Sequence, residues 1–378
     1  MPDESIAEAR RQSEICNACR YCEGYCSVFP AMHSLRAFSD GNIARLANLC
    51  HNCRGCYYAC QFTAPHEFDM NLPKALADVQ VASWKRYAWP SQAAKIFDRA
   101  GVAIATALAL SIAGLFWLAA AVRPEAGQGF YAYMSHEIML SVFIPAFLAP
   151  LVSLAVSLRR FWRDTSRRAP TLRGIASALR SAGRMSNLSG GHGDGCNFED
   201  EDRYSNVRRH LHQFALFGFL LCFASTCSGT ALHYAFGIEA PYGPFSLPKI
   251  LGVPGGLLLC AGSLGLAYLK TKADPNLGAT NLWGGEMAFV LLLFAVSLSG
   301  LVLFAATGTS AVSWLLPLHL GFVLAFFLTT PYSKMAHGFY RLAALAQDAE
   351  IRISGDPLTT TPSAQFGSNS EDNSASGK

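Results

Sequence analysis

Cys16-Asn17-Ala18-Cys19-Arg20-Tyr21-Cys22-Glu23-Gly24-Tyr25-Cys26 is followed, after a short gap, by Cys50-His51-Asn52-Cys53-Arg54-Gly55-Cys56-Tyr57-Tyr58-Ala59-Cys60. Each run reads C-x2-C-x2-C-x3-C, and together they hold eight of the chain's 12 cysteines. Thiolates at i, i+3 and i+6 wrap one face of a small metal–sulfide cube, while the fourth, beyond three further residues, points away from it. Zinc does not account for the pattern. It takes four ligands, usually as two C-x2-C pairs from separated stretches, and leaves the repeated third cysteine unexplained. Disulfides suit secreted chains, and no cleavable signal peptide is read at the N-terminus.

In two-cluster iron–sulfur proteins the fourth cysteine of a run ligates the other cluster. The expected ligand sets are therefore Cys16, Cys19, Cys22 and Cys60 for one [4Fe–4S] cluster, and Cys50, Cys53, Cys56 and Cys26 for the second. Pro30 and Pro65 stand several residues after their runs, and a gap separates the two runs. Both features resemble the helical ferredoxin domain of succinate dehydrogenase and heterodisulfide reductase subunits more than a compact bacterial ferredoxin. Between the runs, Ser39-Asp40 before Asn42-Ile43-Ala44-Arg45-Leu46-Ala47 reads as a capped helix start.

The composition points to a membrane. The chain is 51% hydrophobic and 15% charged, where a soluble domain carries about a quarter charged residues. No charge occurs between Arg99 and Arg123, Glu137 and Arg159, Arg209 and Glu239, or Lys249 and Lys270. The same holds from Glu286 to Lys334, a span about twice what a bilayer needs and broken at Gly308-Thr309-Ser310. The expected fold is all-α: a helical ferredoxin-like domain over 1–85, then a six-helix transmembrane bundle over 86–345. The helices are placed at about 100–122, 138–158, 210–235, 250–269, 287–307 and 313–333, with an arginine-rich loop at 159–209. Residues 346–378, rich in Ser, Thr, Asn, Gly and Pro towards their end, are expected to be a disordered tail. The arginine excess of the long loop places both termini and the clusters on the cytoplasmic side by the positive-inside rule. Trp84, Trp89 and Tyr87 beside Lys85 and Arg86 suit a membrane interface.

Coordinating groups inside membrane helices are functional suspects. His210, His212 and His337 fall near one end of the bundle, and His136, His233 and His319 near the other. His319 and His337 are 18 residues apart, five turns of one helical run, or roughly 27 Å. Bis-histidine b-type haem needs one imidazole on each side of the iron. The candidate pairs are His212 with His337, and His233 with His319 or His136; each histidine alone also reads as an interfacial polar side chain. Cys222, Cys227 and Cys260 read as small core residues. Cys196, in the arginine-rich loop, reads either as a free thiol or as a residue acting in docking or at a cluster. No basic stripe interleaved with aromatics suggests nucleic acid, and no dinucleotide, P-loop, G-x-S-x-G or H-E-x-x-H motif occurs. The chain carries metal centres without an organic substrate site, and its expected role is to pass on electrons received from elsewhere.

The twin cysteine runs, the polytopic half beginning near residue 100, the Gly193-Asp-Gly-Cys196-Asn-Phe-Glu-Asp-Glu-Asp-Arg-Tyr-Ser205 stretch and the histidine-bearing helices resemble the tricarballylate-utilisation protein B, or citrate-utilisation B, family. The resemblance runs from Cys16 to about Arg341. It implies two [4Fe–4S] clusters and b-type haem in a multi-pass protein of the bacterial inner membrane. It also implies a soluble FAD-dependent tricarballylate dehydrogenase as partner, which oxidises tricarballylate to cis-aconitate. The membrane protein would reoxidise that flavin and deliver electrons to quinone. The alternatives are service to a different dehydrogenase or reductase complex, or a redox-sensing membrane anchor without quinone turnover.

Overall fold

The computed structural model describes residues 2–354 apart from 123–135, 167, 191–192, 199–202, 239, 241, 244 and 280–282. Five helices make up the cysteine-bearing part: α1 (Pro2–Cys19), α2 (Val28–His33), α3 (Asp40–Leu49), α4 (Gly55–Tyr58) and α5 (Leu72–Tyr87). Ser39 caps α3 as its sequence predicts, its hydroxyl accepting from Asn42 N at 3.3 Å. Asn71 does the same for α5 at Lys74 N, each cap satisfying a donor that the first helical turn leaves open. The chain is otherwise helical, and among the described residues the only strand-like pairing is the isolated bridge between Cys196 and Ser205.

Six helices are long and apolar enough to cross a membrane: α6 (Ser91–Val122), α7 (His136–Thr165), α9 (Val207–Phe236), α10 (Leu247–Lys272), α11 (Trp283–Ala305) and α12 (Val312–Thr329). Their outward faces carry exposed Leu110, Leu115, Leu148, Leu220 and Leu291. That is the surface a multi-pass membrane protein turns to lipid. The first span starts earlier than expected, at Ser91, but its backbone leaves helical geometry at Ala100, where the charge-free stretch begins. Between α7 and α9 lies α8 (Leu172–Arg184), capped by Thr171.

Glycine sets the tightest contact of the bundle. A Cβ on Gly218 of α9 would stand 2.5 Å from Leu259 N, and one on Gly262 of α10 would stand 2.5 Å from Ala215 N. The two backbones therefore touch directly, the small-residue packing that apolar solvent favours between helices. At the start of the bundle Glu286 of α11 accepts from both Lys270 of α10 and Lys334, whose ammonium lies 4.9 Å from the centre of the Trp84 ring.

Two expectations are corrected at the C-terminal end. Residues 346–354 are not tail but the second half of α13 (Ala336–Ser354), with Ala346, Gln347, Asp348, Ala349, Glu350 and Ile351 buried. The burial that begins at Ala336, Tyr340 and Ala344 continues into them, and Gln347 Nε2 donates to Thr165 Oγ1 at 2.8 Å. The remainder of the expected tail, 355–378, lies outside the described residues. His319 and His337 also do not share one helical run: α12 stops at Thr329 and α13 begins at Ala336. Pro331 lacks the N–H that would carry the helical ladder onward.

The cysteine-bearing part and the bundle share one core. Ile43, Leu46 and Leu49 of α3, Leu72, Leu76 and Val79 of α5, Phe161 of α7, Ala178 of α8 and Tyr340 and Ala344 of α13 pack into it together. At its centre Tyr87, Phe161 and Tyr340 meet with ring centres 5.3–6.5 Å apart.

The α9–α10 contact is testable. Gly262→Leu and Gly218→Leu are expected to lower the thermal midpoint of the detergent-solubilised protein, with at least the 1–3 kcal/mol or so that overpacking costs. Midpoints equal to wild type would mean that the helices do not approach through these glycines.

Candidate redox centres

Both cysteine runs are brought together in the cysteine-bearing part, where they line two cavities. Cys16, Cys19, Cys22 and Cys60 line the larger, of about 170 Å³, with Ile15, Phe29, Phe62 and Leu72 supplying apolar walls. Cys26, Cys50, Cys53 and Cys56 line the smaller; Cys56 stands between the two and borders both. The outer cavity reaches the surface at exposed Cys19 and Tyr21, whereas Cys53 in the inner one is buried.

The donor chemistry of these cavities fits metal–sulfur clusters. Burial, then repulsion from Cys22, Cys60 and Cys19, pushes the Cys16 thiol up to about 12. Burial, then Cys60, Cys19 and Cys53, does the same to Cys22. Cys53 is pushed up to about 11, again mainly by burial. Thiols so crowded and desolvated become thiolates only against positive charge, which bound iron provides. The backbone around the inner cavity is shaped accordingly. Asn52 and Arg54 hold positive φ, at 48° and 68°, the left-handed region that bends a backbone tightly. Asn52 N donates to Cys50 Sγ at 3.4 Å, and at the outer cavity Phe62 N donates to Cys60 Sγ at 3.4 Å.

The peptide carbonyls of the inner loop turn the other way, and each finds a donor from elsewhere in the chain. Arg341 Nη2 of α13 donates to Cys50 O at 2.6 Å. Arg208 of α9 donates through Nη2 to His51 O at 3.2 Å and through Nη1 to Asn52 O at 2.7 Å. Asn197 N donates to Cys53 O at 2.9 Å. The loop before α9 closes over this point: Phe198 is sandwiched between the guanidinium groups of Arg54, at 4.7 Å, and Arg208, at 3.8 Å. Cys196 is buried in the same cluster of side chains as Cys53, Met185 and Leu188. Asn52 Nδ2 also reaches Leu277 O, at 2.9 Å, beyond α10.

Behind the loop stand the histidines. The rings of His212 on α9 and His337 on α13 have centres 6.0 Å apart at 63°. A metal–imidazole bond is about 2 Å, so two imidazoles on one metal have ring centres roughly 6 Å apart. Nδ1 of His337 donates to Lys334 O, which fixes the tautomer and leaves Nε2 as the free lone pair. His51, inside the second cysteine run, donates from Nδ1 to Leu49 O at 2.8 Å. Burial first, and the Arg341 charge next, hold both His51 and His337 well below the usual imidazole range, and the His212 ring acts on each. His51 and His337 are therefore neutral, and the His212 ring stands beside that of His337.

The other expected histidine pair is not drawn together in this way. His319 is hydrogen-bonded to Ser299 at 2.9 Å and packs on Gly300, while His233 stacks edge-on against Tyr234 with centres 4.8 Å apart. Among the described residues no ring contact joins His233 to His319. The side chain of His136 lies outside the described ones. His210 lies on α9, two residues before His212.

Sequence reading had passed over His51, Arg208 and Arg341 as site residues. His51 was legible as the one imidazole inside a cysteine run. Each arginine stands four residues before or after a singled-out histidine, on the same helix face: Arg208 with His212, Arg341 with His337.

The comparisons with known proteins follow the same division of the chain. Residues 9–86 match the model of the Citrate utilization protein B Fer4-like domain, and residues 92–355 match that of Citrate utilization protein B. The Citrate utilization protein B of Escherichia coli is 42% identical over 347 residues, covering 90% of this chain and 91% of its relative. No solved structure matches. With a ferredoxin-type domain joined to six apolar helices along nearly its full length, the chain belongs to the citrate utilization protein B family.

Proposed function

We propose that the protein carries electrons from a reduced flavoprotein to quinone in the membrane. Its centres are two [4Fe–4S] clusters, on Cys16, Cys19, Cys22 and Cys60 and on Cys26, Cys50, Cys53 and Cys56, and one b-type haem on His212 and His337. The clusters and the haem supply one-electron carriers that match a two-electron flavin to the membrane acceptor. The observation that carries the reading is the contact of the inner cysteine loop with the Arg208–His212 and Arg341–His337 turns of the bundle.

The protein's own groups have separable tasks. The eight cysteines furnish thiolates, and the walls of the cavities keep water from the inner set. The exposure of Cys19 and Tyr21 supports approach of a flavoprotein surface at the outer cavity. His337 is oriented by Lys334 O, and His212 faces it from α9. The side bearing the cysteines is cytoplasmic in this reading, in agreement with the arginines of the α7–α9 segment. Several of those arginines have structural roles: Arg208 holds the inner loop, and Arg209 donates to Arg184 O at 3.0 Å. The partner is a soluble FAD-dependent dehydrogenase, with tricarballylate the substrate implied by the family resemblance.

Purified in detergent, the protein is expected to hold about eight irons in clusters, and Cys53→Ser and Cys19→Ser about half as many. Iron and sulfide assays decide this, and an iron-free wild type ends the reading. The dithionite-reduced minus oxidised spectrum should show a b-type haem that is lost in His212→Ala and His337→Ala and kept in His319→Ala. A band untouched in His337→Ala would remove that residue as a ligand.

A further inference from the structure

The two cysteine sets differ in the charge around them. The inner loop lays four consecutive carbonyls, those of Cys50, His51, Asn52 and Cys53, against donors from outside the loop. Two of the donors are guanidinium groups, Arg208 and Arg341, each in hydrogen-bond contact with the ligand loop itself. At the outer set the guanidinium on a ligand-loop carbonyl is that of Arg20, a residue of the loop itself, which donates to Asn17 O at 3.1 Å from an exposed position where water screens its charge. Burial alone makes an added electron costly, because the low-dielectric surroundings cannot screen the extra negative charge. Fixed cations a few ångströms away oppose that cost, and net charge and hydrogen bonding are the terms through which a protein sets a cluster's potential.

We propose that Arg208 and Arg341 are positioning residues that hold up the reduction potential of the inner cluster, by fixing two positive charges on the outward-facing carbonyls of its ligand loop. The proposal rests on the reading that Cys26, Cys50, Cys53 and Cys56 carry a [4Fe–4S] cluster. Reduction adds one electron to that cluster and breaks no bond among the protein groups. Because Arg208 and Arg341 lie one helical turn from His212 and His337, the residues that attract the electron inward also fasten the loop to the bundle.

The test is a redox titration of the full-length protein in detergent, with dithionite as reductant and the clusters followed by electron paramagnetic resonance. Cys53→Ser identifies the inner signal by its loss or altered shape, and Cys19→Ser the outer. Arg208→Gln and Arg341→Gln are expected to shift the inner signal to lower potential, leave the outer signal in place, and retain the iron content of wild type. Arg208→Lys, which keeps the charge, should recover most of the shift. An inner signal that does not move, or two signals that move equally, overturns the proposal. A wild type with fewer than two cluster signals instead overturns the cluster reading. Should a glutamine variant lose iron, Arg341→Lys serves: a potential equal to wild type supports the charge, and a large downward shift overturns it.

Discussion

The packing of Tyr87, Phe161 and Tyr340 joins the end of α5, the end of α7 and the first turns of α13 in one water-free contact. Everything that makes the cysteine sites useful depends on it. That contact adds to the hydrogen bonds from Arg208, Arg341 and Asn197, and to the short connection between α5 and α6, in holding the cysteine-bearing helices to the bundle. With it, α3 lies against α13 and α7, and the loop after α3 is pressed onto the exposed ends of α9 and α13. The carbonyl–guanidinium contacts then need no further adjustment of the chain. They are short-range and directional, and would fail if the two parts could rock against each other by even a couple of ångströms.

The same arrangement explains why buried charge is tolerated at the junction. A guanidinium removed from water needs partners for its donors, and Arg341 and Arg208 find them in peptide carbonyls that the anion-facing geometry of the loop leaves free. Burial draws Arg341 down to about 10, still charged at neutral pH. Glu286, between Lys270 and Lys334, solves a similar problem at the edge of the apolar region with one carboxylate shared by two ammonium groups.

What could be read from the sequence was whatever a local pattern encodes. The cysteine spacing pointed to two sites, and the structure gathers the two expected sets around separate cavities. Five charge-free stretches gave six apolar helices, since length and polarity alone decide which segments can cross lipid. His212 and His337 do approach each other, but not through the one helix expected to run through His319 and His337: Pro331 follows the end of α12, and α13 makes a fresh start. Residues 346–354 read as part of the polar tail that follows them, and only the neighbours that bury Ala346, Gln347, Asp348, Ala349, Glu350 and Ile351 show them to be helix. His51, Arg208 and Arg341 act through peptide carbonyls, which every residue has, so no sequence pattern could have paired them.

The shared core also orders events in time. The cysteine-bearing helices leave the ribosome first, yet one wall of their core is α13, which is synthesised after the sixth apolar helix. Until Tyr340 and Ala344 arrive, α3 has an open apolar face, and the Cys50 carbonyl lacks the guanidinium that holds its loop. The N-terminal part is therefore completed by α13, the last of the described helices. The inner cysteine loop therefore takes its final shape only once the bundle has been threaded, which makes the folding of the cysteine-bearing part dependent on membrane insertion.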